Sequence, residues 1–234
     1  MKKVLFTAVV FSAFNFANAQ EATSEFKPAA GANNLELNFI PLNGKPISIT
    51  NIRFRRFTSA TTAIRLGVGF SLATTKNDTA RTSVVAPTTT INTTSKTSKF
   101  GWNIKPGIEK HFAGTNRLSP YVGAELDLAG QSSKEVNETI VGPTDTKVTT
   151  TSKNKKKGGF MRIGANALAG FDCYITKHLY LGTEFGFGLQ FVKYSDLKVT
   201  TDPAPATATP DVAQGSEFNL GPNFNSAIRL GFIF

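Results

Sequence analysis

Side chains able to act as a general base or a nucleophile are scarce in this sequence of 234 residues. It contains two histidines, His111 and His178, and one cysteine, Cys173. Acyl-transfer chemistry usually needs a histidine beside a serine or cysteine nucleophile, and the sequence suggests no such pair. It also lacks metal-ligand spacing and a glycine-rich phosphate loop in a strand–helix context. The sequence therefore predicts a protein that is not an enzyme and binds no metal or cofactor.

Within segments that are otherwise apolar or rich in glycine, most charged residues occur singly and at alternating positions. Removing one partner of a buried ion pair typically costs about 3–5 kcal/mol, so a balanced set in one narrow interior should pair internally. We expect three arginines to face three glutamates in a plug. The whole inward set is Arg53, Arg55, Arg65, Lys105, Arg162 and Arg229 with Glu36, Glu109, Glu125, Asp127, Asp172 and Glu184, and the expected plug pairs Arg53, Arg65 and Arg229 with Glu36, Glu109 and Glu184.

A second charge feature is the basic run formed by Lys153, Lys155, Lys156 and Lys157. Basic residues near anionic lipid headgroups add about 1 kcal/mol each, so this run is a candidate contact for lipopolysaccharide phosphates. A solvated charge run is the alternative. The formal net charge of +10 also raises the question of nucleic acid, but the export signal described below argues against it.

Eight segments alternate apolar residues with polar or small ones, the pattern of strands that have one apolar face. Pro106 in the fourth segment predicts a local distortion but not a strand end. A slip of the alternation between Ile49 and Ile52 predicts a bulge in the second. The segments are 34–40, 47–57, 62–73, 99–112, 118–130, 159–175, 179–191 and 216–234.

The connections between these segments alternate in length, except that the first external one, around 41–46, is also short. Those at 58–61, 113–117 and 176–178 are short, and those at 74–98, 131–158 and 192–215 are long. Outer-membrane barrels have short periplasmic turns and long external loops. We expect the long connections, rich in threonine, serine, asparagine and lysine, to be solvated, mobile surface loops.

The apolar face of these segments is continuous leucine, isoleucine, valine and phenylalanine, whereas the other face is mostly glycine with isolated charges. A water-soluble barrel has its apolar face inside and a densely charged face outside. The opposite arrangement fits a cramped polar lumen and a lipid-facing exterior, with Cys173 on the lipid side. The sequence predicts an all-β fold, an eight-stranded antiparallel up-and-down transmembrane β-barrel over residues 33–234.

The first residues read as an export signal, because Lys2 and Lys3 precede an apolar run and the small-residue site Ala17–Ala19. We expect residues 1–19 to be a cleaved signal peptide and residues 20–32 a periplasmic segment. The expected location is therefore the outer membrane, as an integral protein.

Three stretches, 52–57, 63–67 and 228–234, resemble the small eight-stranded outer-membrane barrels of Gram-negative bacteria, the architecture of the OmpA transmembrane domain and OmpX. The resemblance implies that Phe232 and Phe234 form an assembly signal read by the barrel-assembly machinery. We also expect outer-membrane lipid and lipopolysaccharide as partners, no nucleic acid, and a monomer.

The expected function is a structural or surface-interaction role with a largely ion-paired, closed lumen. A narrow porin for small solutes is the first alternative. A lipid-modifying enzyme is the second, since some small barrels of similar size are lipid A deacylases or palmitoyltransferases. The histidines weigh against it, because His178 and His111 both lie at the predicted periplasmic end, away from the outer leaflet.

Overall fold

The computed structural model describes residues 25–39, 47–82, 90–141, 146–205, 207 and 209–234. Within these residues the chain is almost entirely β-strand, with one short 3₁₀ turn at Lys155–Lys157. None of the helical structure in this part of the chain is long and apolar enough to cross a membrane. The strands are β1 (Asn33–Phe39), β2 (Ile47–Ser59), β3 (Thr62–Thr82), β4 (Thr90–His111), β5 (Leu118–Val141), β6 (Thr146–Lys153), β7 (Phe160–Tyr174), β8 (Leu179–Tyr194), β9 (Lys198–Asp202) and β10 (Ser216–Ile233).

Eight of these strands form a closed antiparallel ring in the order β1, β2, β3, β4, β5, β7, β8 and β10. The ring closes because β10 pairs with β1 along Asn34–Phe39 and β4 pairs with β5. Closure leaves no free edge within the ring, which satisfies the backbone hydrogen bonds. The predicted eight-stranded up-and-down fold is confirmed.

The two faces of the ring are inverted relative to a water-soluble protein. Large apolar side chains are exposed on the outside, for example Leu126 at 53% and Phe187 at 55%, whereas Arg55 and Asp172 inside are 0% exposed. Soluble monomers rarely expose contiguous apolar surface of this extent. The exterior is therefore suited to lipid, and the interior carries the polar residues.

The expectation of long external loops is wrong in part, because the strands continue far beyond the predicted ends. β3 and β4 pair without interruption up to Thr82 and Thr90, and β5 continues to Val141. β6 then pairs with the upper part of β5, and β9 pairs with β6. These residues lack apolar alternation, so their sequence resembles a loop, but threonine favours strands. We call this extension of the barrel wall the protruding sheet: 74–82, 90–98, 131–141, 146–153 and 198–202.

Two predicted irregularities are present. The first is a bulge in β2. The neighbouring β1 residues Leu37 and Asn38 pair with Ile52 and Ser48, so the β2 residues between those two are extra. At Pro106 the pairing of β4 with β3 continues, but its pairing with β5 skips from Ile104 to Gly107. Proline removes one ladder hydrogen bond without ending the strand.

The lower end of the ring is the end at which β1 begins and β10 finishes. The segment before β1 packs under this end. Phe26 and Ala32 contact the buried group Tyr174, Tyr180 and Ile233, and the guanidinium of Arg117 lies 4.0 Å from the Phe26 ring centroid. The predicted signal peptide, residues 1–19, lies outside the described residues.

Candidate functional site

The candidate site is a group of ionised side chains in the lower half of the lumen, contributed by all eight ring strands. Alternation along each strand points these residues inward. Arg55 on β2 even stands directly opposite Arg65 on β3, a like-charge pair that needs compensation. We call this group the lumen cluster: Arg53, Arg55, Arg65 and Arg229 with Glu36, Glu109, Glu125, Asp172 and Glu184.

Arg55 is fully buried and contacts three carboxylates. Its guanidinium nitrogens lie 2.7 Å from Glu36 Oε1, 2.8 Å from Glu109 Oε2 and 2.8 Å from Asp172 Oδ2. The planar fork of arginine permits several such bonds at once. One guanidinium therefore joins strands β1, β4 and β7 across the lumen.

Arg65 contacts a second set of carboxylates. It lies 2.7 Å from both Glu109 Oε1 and Glu184 Oε2, and 3.0 Å from Glu125 Oε2. Glu109 thus receives Arg55 on one oxygen and Arg65 on the other. This shared carboxylate offsets the repulsion between the two opposed arginines.

Arg53 and Arg229 complete the cluster. Arg53 lies 3.1 Å from Glu36 and 3.2 Å from Glu184, and Arg229 lies 3.1 Å from both Glu36 and Asp172. The structure thus brings the predicted plug residues Arg53, Arg65 and Arg229 against Glu36, Glu109 and Glu184.

Of the residues predicted to face the interior, Arg162 and Asp127 pair with each other outside the lumen cluster, and Lys105 has no ion pair within the described part of the chain. Arg162 lies 3.0 Å from Asp127 Oδ2, above the lumen cluster. Lys105 is half-buried beside Gly67 and has no ion pair among the residues that the structure describes. A cavity of about 340 Å³ occupies this upper part of the lumen, with Asn51, Ser71, Asn103, Gln131, Phe160 and Arg162 in its wall.

Sequence reasoning missed the hydroxyl donors of the cluster. Tyr121 donates to Glu184 Oε2 at 2.6 Å, and Tyr180 donates to Glu36 Oε1 at 2.6 Å. Tyr121 precedes Glu125, and Tyr180 precedes Glu184, by an even number of positions along the strand. This spacing was enough to predict that both tyrosines point inward. Their rings also fill space between the charges: the guanidinium of Arg229 lies 5.4 Å from the Tyr121 ring centroid.

The structure also creates a His–Ser–Glu contact that the sequence did not indicate. His111 Nδ1 lies 3.0 Å from Ser119 Oγ, and its Nε2 lies 3.2 Å from Glu109 Oε2. The geometry resembles a catalytic triad. However, Ser119 is 3% exposed and points into the lumen, while Glu109 is held by two arginines.

The basic run divides into two parts. Lys155 bonds Glu135 at 2.9 Å, a contact that lowers the pKa of Glu135, and Lys157 Nζ lies 4.5 Å from the ring centroid of Tyr194. Lys153 and Lys156 are exposed and make no ion pair with described residues. Two of the four lysines predicted to contact lipopolysaccharide are therefore engaged with neighbouring side chains.

The remaining predicted residues lie on the outside of the ring. Phe232 and Phe234 are 52% and 61% exposed, and their rings stack at 6.4 Å. The Phe234 amide donates to the Asn33 carbonyl oxygen at 2.9 Å, so Phe234 still pairs with the neighbouring strand β1. Cys173 is exposed on the same apolar side.

Comparison with known proteins agrees with this architecture. A family model described as "Putative OmpA-OmpF-like porin family" matches residues 42–206, more than half of the chain. No curated protein matches the sequence. With a closed antiparallel ring, an apolar exterior and this match, the chain belongs to the OmpA-OmpF-like porin family and is an outer-membrane β-barrel protein.

Proposed function

We propose that the protein is a non-enzymatic outer-membrane barrel whose lumen is closed and whose protruding sheet provides a surface for interaction outside the cell. The observation that carries the proposal is the lumen cluster. Four arginines and five carboxylates from all eight ring strands meet in the lower lumen, and each ion pair among them is 3.2 Å or shorter. Eight strands leave an interior that side chains can fill, and here they fill it with paired charges.

A second layer supports closure below the cluster. Phe57, Tyr174 and Tyr180 are each at most 1% exposed, and the rings of Tyr174 and Tyr180 lie 5.5 Å apart. An ion that passes would have to displace aromatic rings as well as separate ion pairs. The upper cavity is consequently a chamber with a closed floor and not a section of a pore.

The protruding sheet supports the surface role. The pairing of β2 with β3 ends at Ile52 and Val68, whereas β3 continues to Thr82. No strand in the described part of the chain covers that side of β3 beyond Val68. An uncovered strand edge can accept a partner strand through main-chain hydrogen bonds, so we infer that this edge contributes to the interaction surface.

Conductance in planar lipid bilayers tests closure. The purified wild-type protein should give no steady channels. Glu184→Ala removes the acceptor of Arg53, Arg65 and Tyr121 and should produce measurable leak currents. The outward-facing Phe185→Ala is the matched control and should stay closed. Steady wild-type channels would instead support the narrow-porin alternative.

The enzyme alternative has its own test, because it needs Ser119 and His111 to reach lipid. Incubation of the protein with lipid A and phospholipid, followed by mass spectrometry, should show no gain or loss of acyl chains. Acyl transfer or hydrolysis that disappears in Ser119→Ala would refute the non-enzymatic proposal.

A further inference from the structure

Lysines of the protruding sheet collect on one face. Lys134 on β5 stands directly opposite Lys153 on β6, which in turn stands opposite Lys198 on β9. Lys76 on β3 likewise stands opposite Lys96 on β4. Directly opposed residues of an antiparallel pair share a face, about 5 Å apart, and like charges there destabilise the sheet. We call these five residues the lysine band.

The face that carries the lysine band is the continuation of the lipid-facing exterior. Leu72, Phe100 and Ser132 are opposed in one row across β3, β4 and β5, and Leu72 is 83% exposed. Lys134 lies two residues beyond Ser132, and Lys76 four residues beyond Leu72. Because side chains alternate, even spacing keeps all of them on the outer face.

The height of the band matches the headgroup layer. Two to four residues of strand span about 7–14 Å, which a tilt near 40° reduces to about 5–10 Å along the membrane normal. The polar layer on each side of the hydrocarbon core is about 5–8 Å thick. Taking the row of Leu72, Phe100 and Ser132 as the edge of the hydrocarbon core, we place the lysine ammonium groups within the headgroup layer or just above it.

The charges of the band are only partly satisfied within the protein. Lys76 pairs with Asp78 at 3.1 Å and Lys198 with Asp211 at 2.7 Å. Lys96, Lys134 and Lys153 make no ion pair with the residues that the structure describes. Lysine often protects exposed sheet edges from aggregation, but these three lie on the inner strands β4, β5 and β6, where edge protection has no purpose.

We propose that the lysine band binds the phosphate groups of outer-leaflet lipid A. Opposed lysines that repel one another in the free protein gain from a bridging anion, and the apolar row below them already contacts the acyl chains. The inference rests on the membrane-embedded barrel of the proposed function. It also replaces Lys155 and Lys157 as the principal lipid contacts, since these bond Glu135 and stack on Tyr194.

Titration of the detergent-solubilised protein with lipid A tests this assignment. Trp102 is the only tryptophan; it follows Phe100 by two residues on the outer face, so its fluorescence reports lipid beside the band. The triple variant Lys96→Gln, Lys134→Gln, Lys153→Gln should bind at least about tenfold more weakly at low ionic strength, since each such contact contributes a fewfold. The difference should shrink as salt is added.

The matched control is Lys155→Gln, Lys156→Gln, Lys157→Gln, which removes the same charge and should change affinity less than twofold. Replacing the three band lysines by arginine should preserve binding. Equal weakening in both glutamine variants, or equal wild-type affinity for dephosphorylated lipid A, would overturn the inference. Circular dichroism verifies that each variant is folded. Bilayer conductance is measured in parallel: if the lumen stays closed while lipid A binding does not depend on the band, the lysine inference fails but the proposed function stands.

Discussion

At the scale of single residues, the interior depends on guanidinium groups that each serve several carboxylates. Arg55 is the clearest case, since it is 0% exposed and contacts Glu36, Glu109 and Asp172. A single arginine removed from this arrangement leaves carboxylates buried without compensation, and the cost is that of unpaired charge rather than of one lost contact.

We therefore predict that Arg55→Met lowers the free energy of unfolding by about 3–5 kcal/mol. The neighbouring Arg56→Met is the control, because Arg56 is exposed and makes one 3.3 Å hydrogen bond to Asn33. This control should lower the free energy of unfolding by less than about 1 kcal/mol. Urea titration of protein folded into lipid vesicles measures both. Similar losses in the two variants would show that the lumen cluster contributes little to stability.

At the scale of elements, the terminal strand β10 must approach β8 closely at its lower end. A Cβ atom built on Gly231 would lie 2.0 Å from Cζ of Tyr180, whose hydroxyl donates to Glu36. Higher on the same strand, a Cβ on Gly221 would meet nothing within 4 Å. Two glycines of one strand thus have different roles, and only the lower one makes room for a buried ring.

Gly231→Ala should accordingly destabilise the barrel by about 1–3 kcal/mol, the usual cost of overpacking. Gly221→Ala should change the free energy of unfolding by less than about 0.5 kcal/mol. The same vesicle titration reports both values. A neutral Gly231→Ala would mean that Tyr180 can move away without losing its bond to Glu36.

At the scale of the whole molecule, the apolar exterior of the barrel requires a lipid or detergent environment. Leu126 is 53% exposed and lies midway between Leu118 at the lower end of β5 and Ser132, which stands opposite Phe100 in the upper row. Leu72 is 83% exposed and belongs to that upper row. The two leucines therefore sample the middle and the rim of the lipid-facing surface.

Leu126→Arg should reduce the stability of the vesicle-embedded barrel by about 2–4 kcal/mol, whereas Leu72→Arg should cost about 0–1 kcal/mol, because charge on the lipid face is most costly at the bilayer midplane. Folding yield and urea midpoints in vesicles provide the comparison. An equal cost at both positions would contradict the assigned depth of the barrel in the membrane.

The sequence by itself determined which side of each strand faces inward. Side chains alternate with a period of two, so Arg53 and Arg229 could be placed in the lumen without coordinates. The same alternation marked the lipid-facing residues and the number of ring strands. It could not reveal the protruding sheet, because polar threonine-rich strands without an apolar face carry no apolar alternation.

Tertiary structure alone decided which charges meet. The partner of Arg65 across the lumen depends on strand tilt and stagger around the ring, which no local pattern records. The same geometry brought Tyr121 to Glu184 and His111 to Ser119, and it aligned Lys134 with Lys153. Parity is a property of each strand, whereas these contacts are properties of the register between strands.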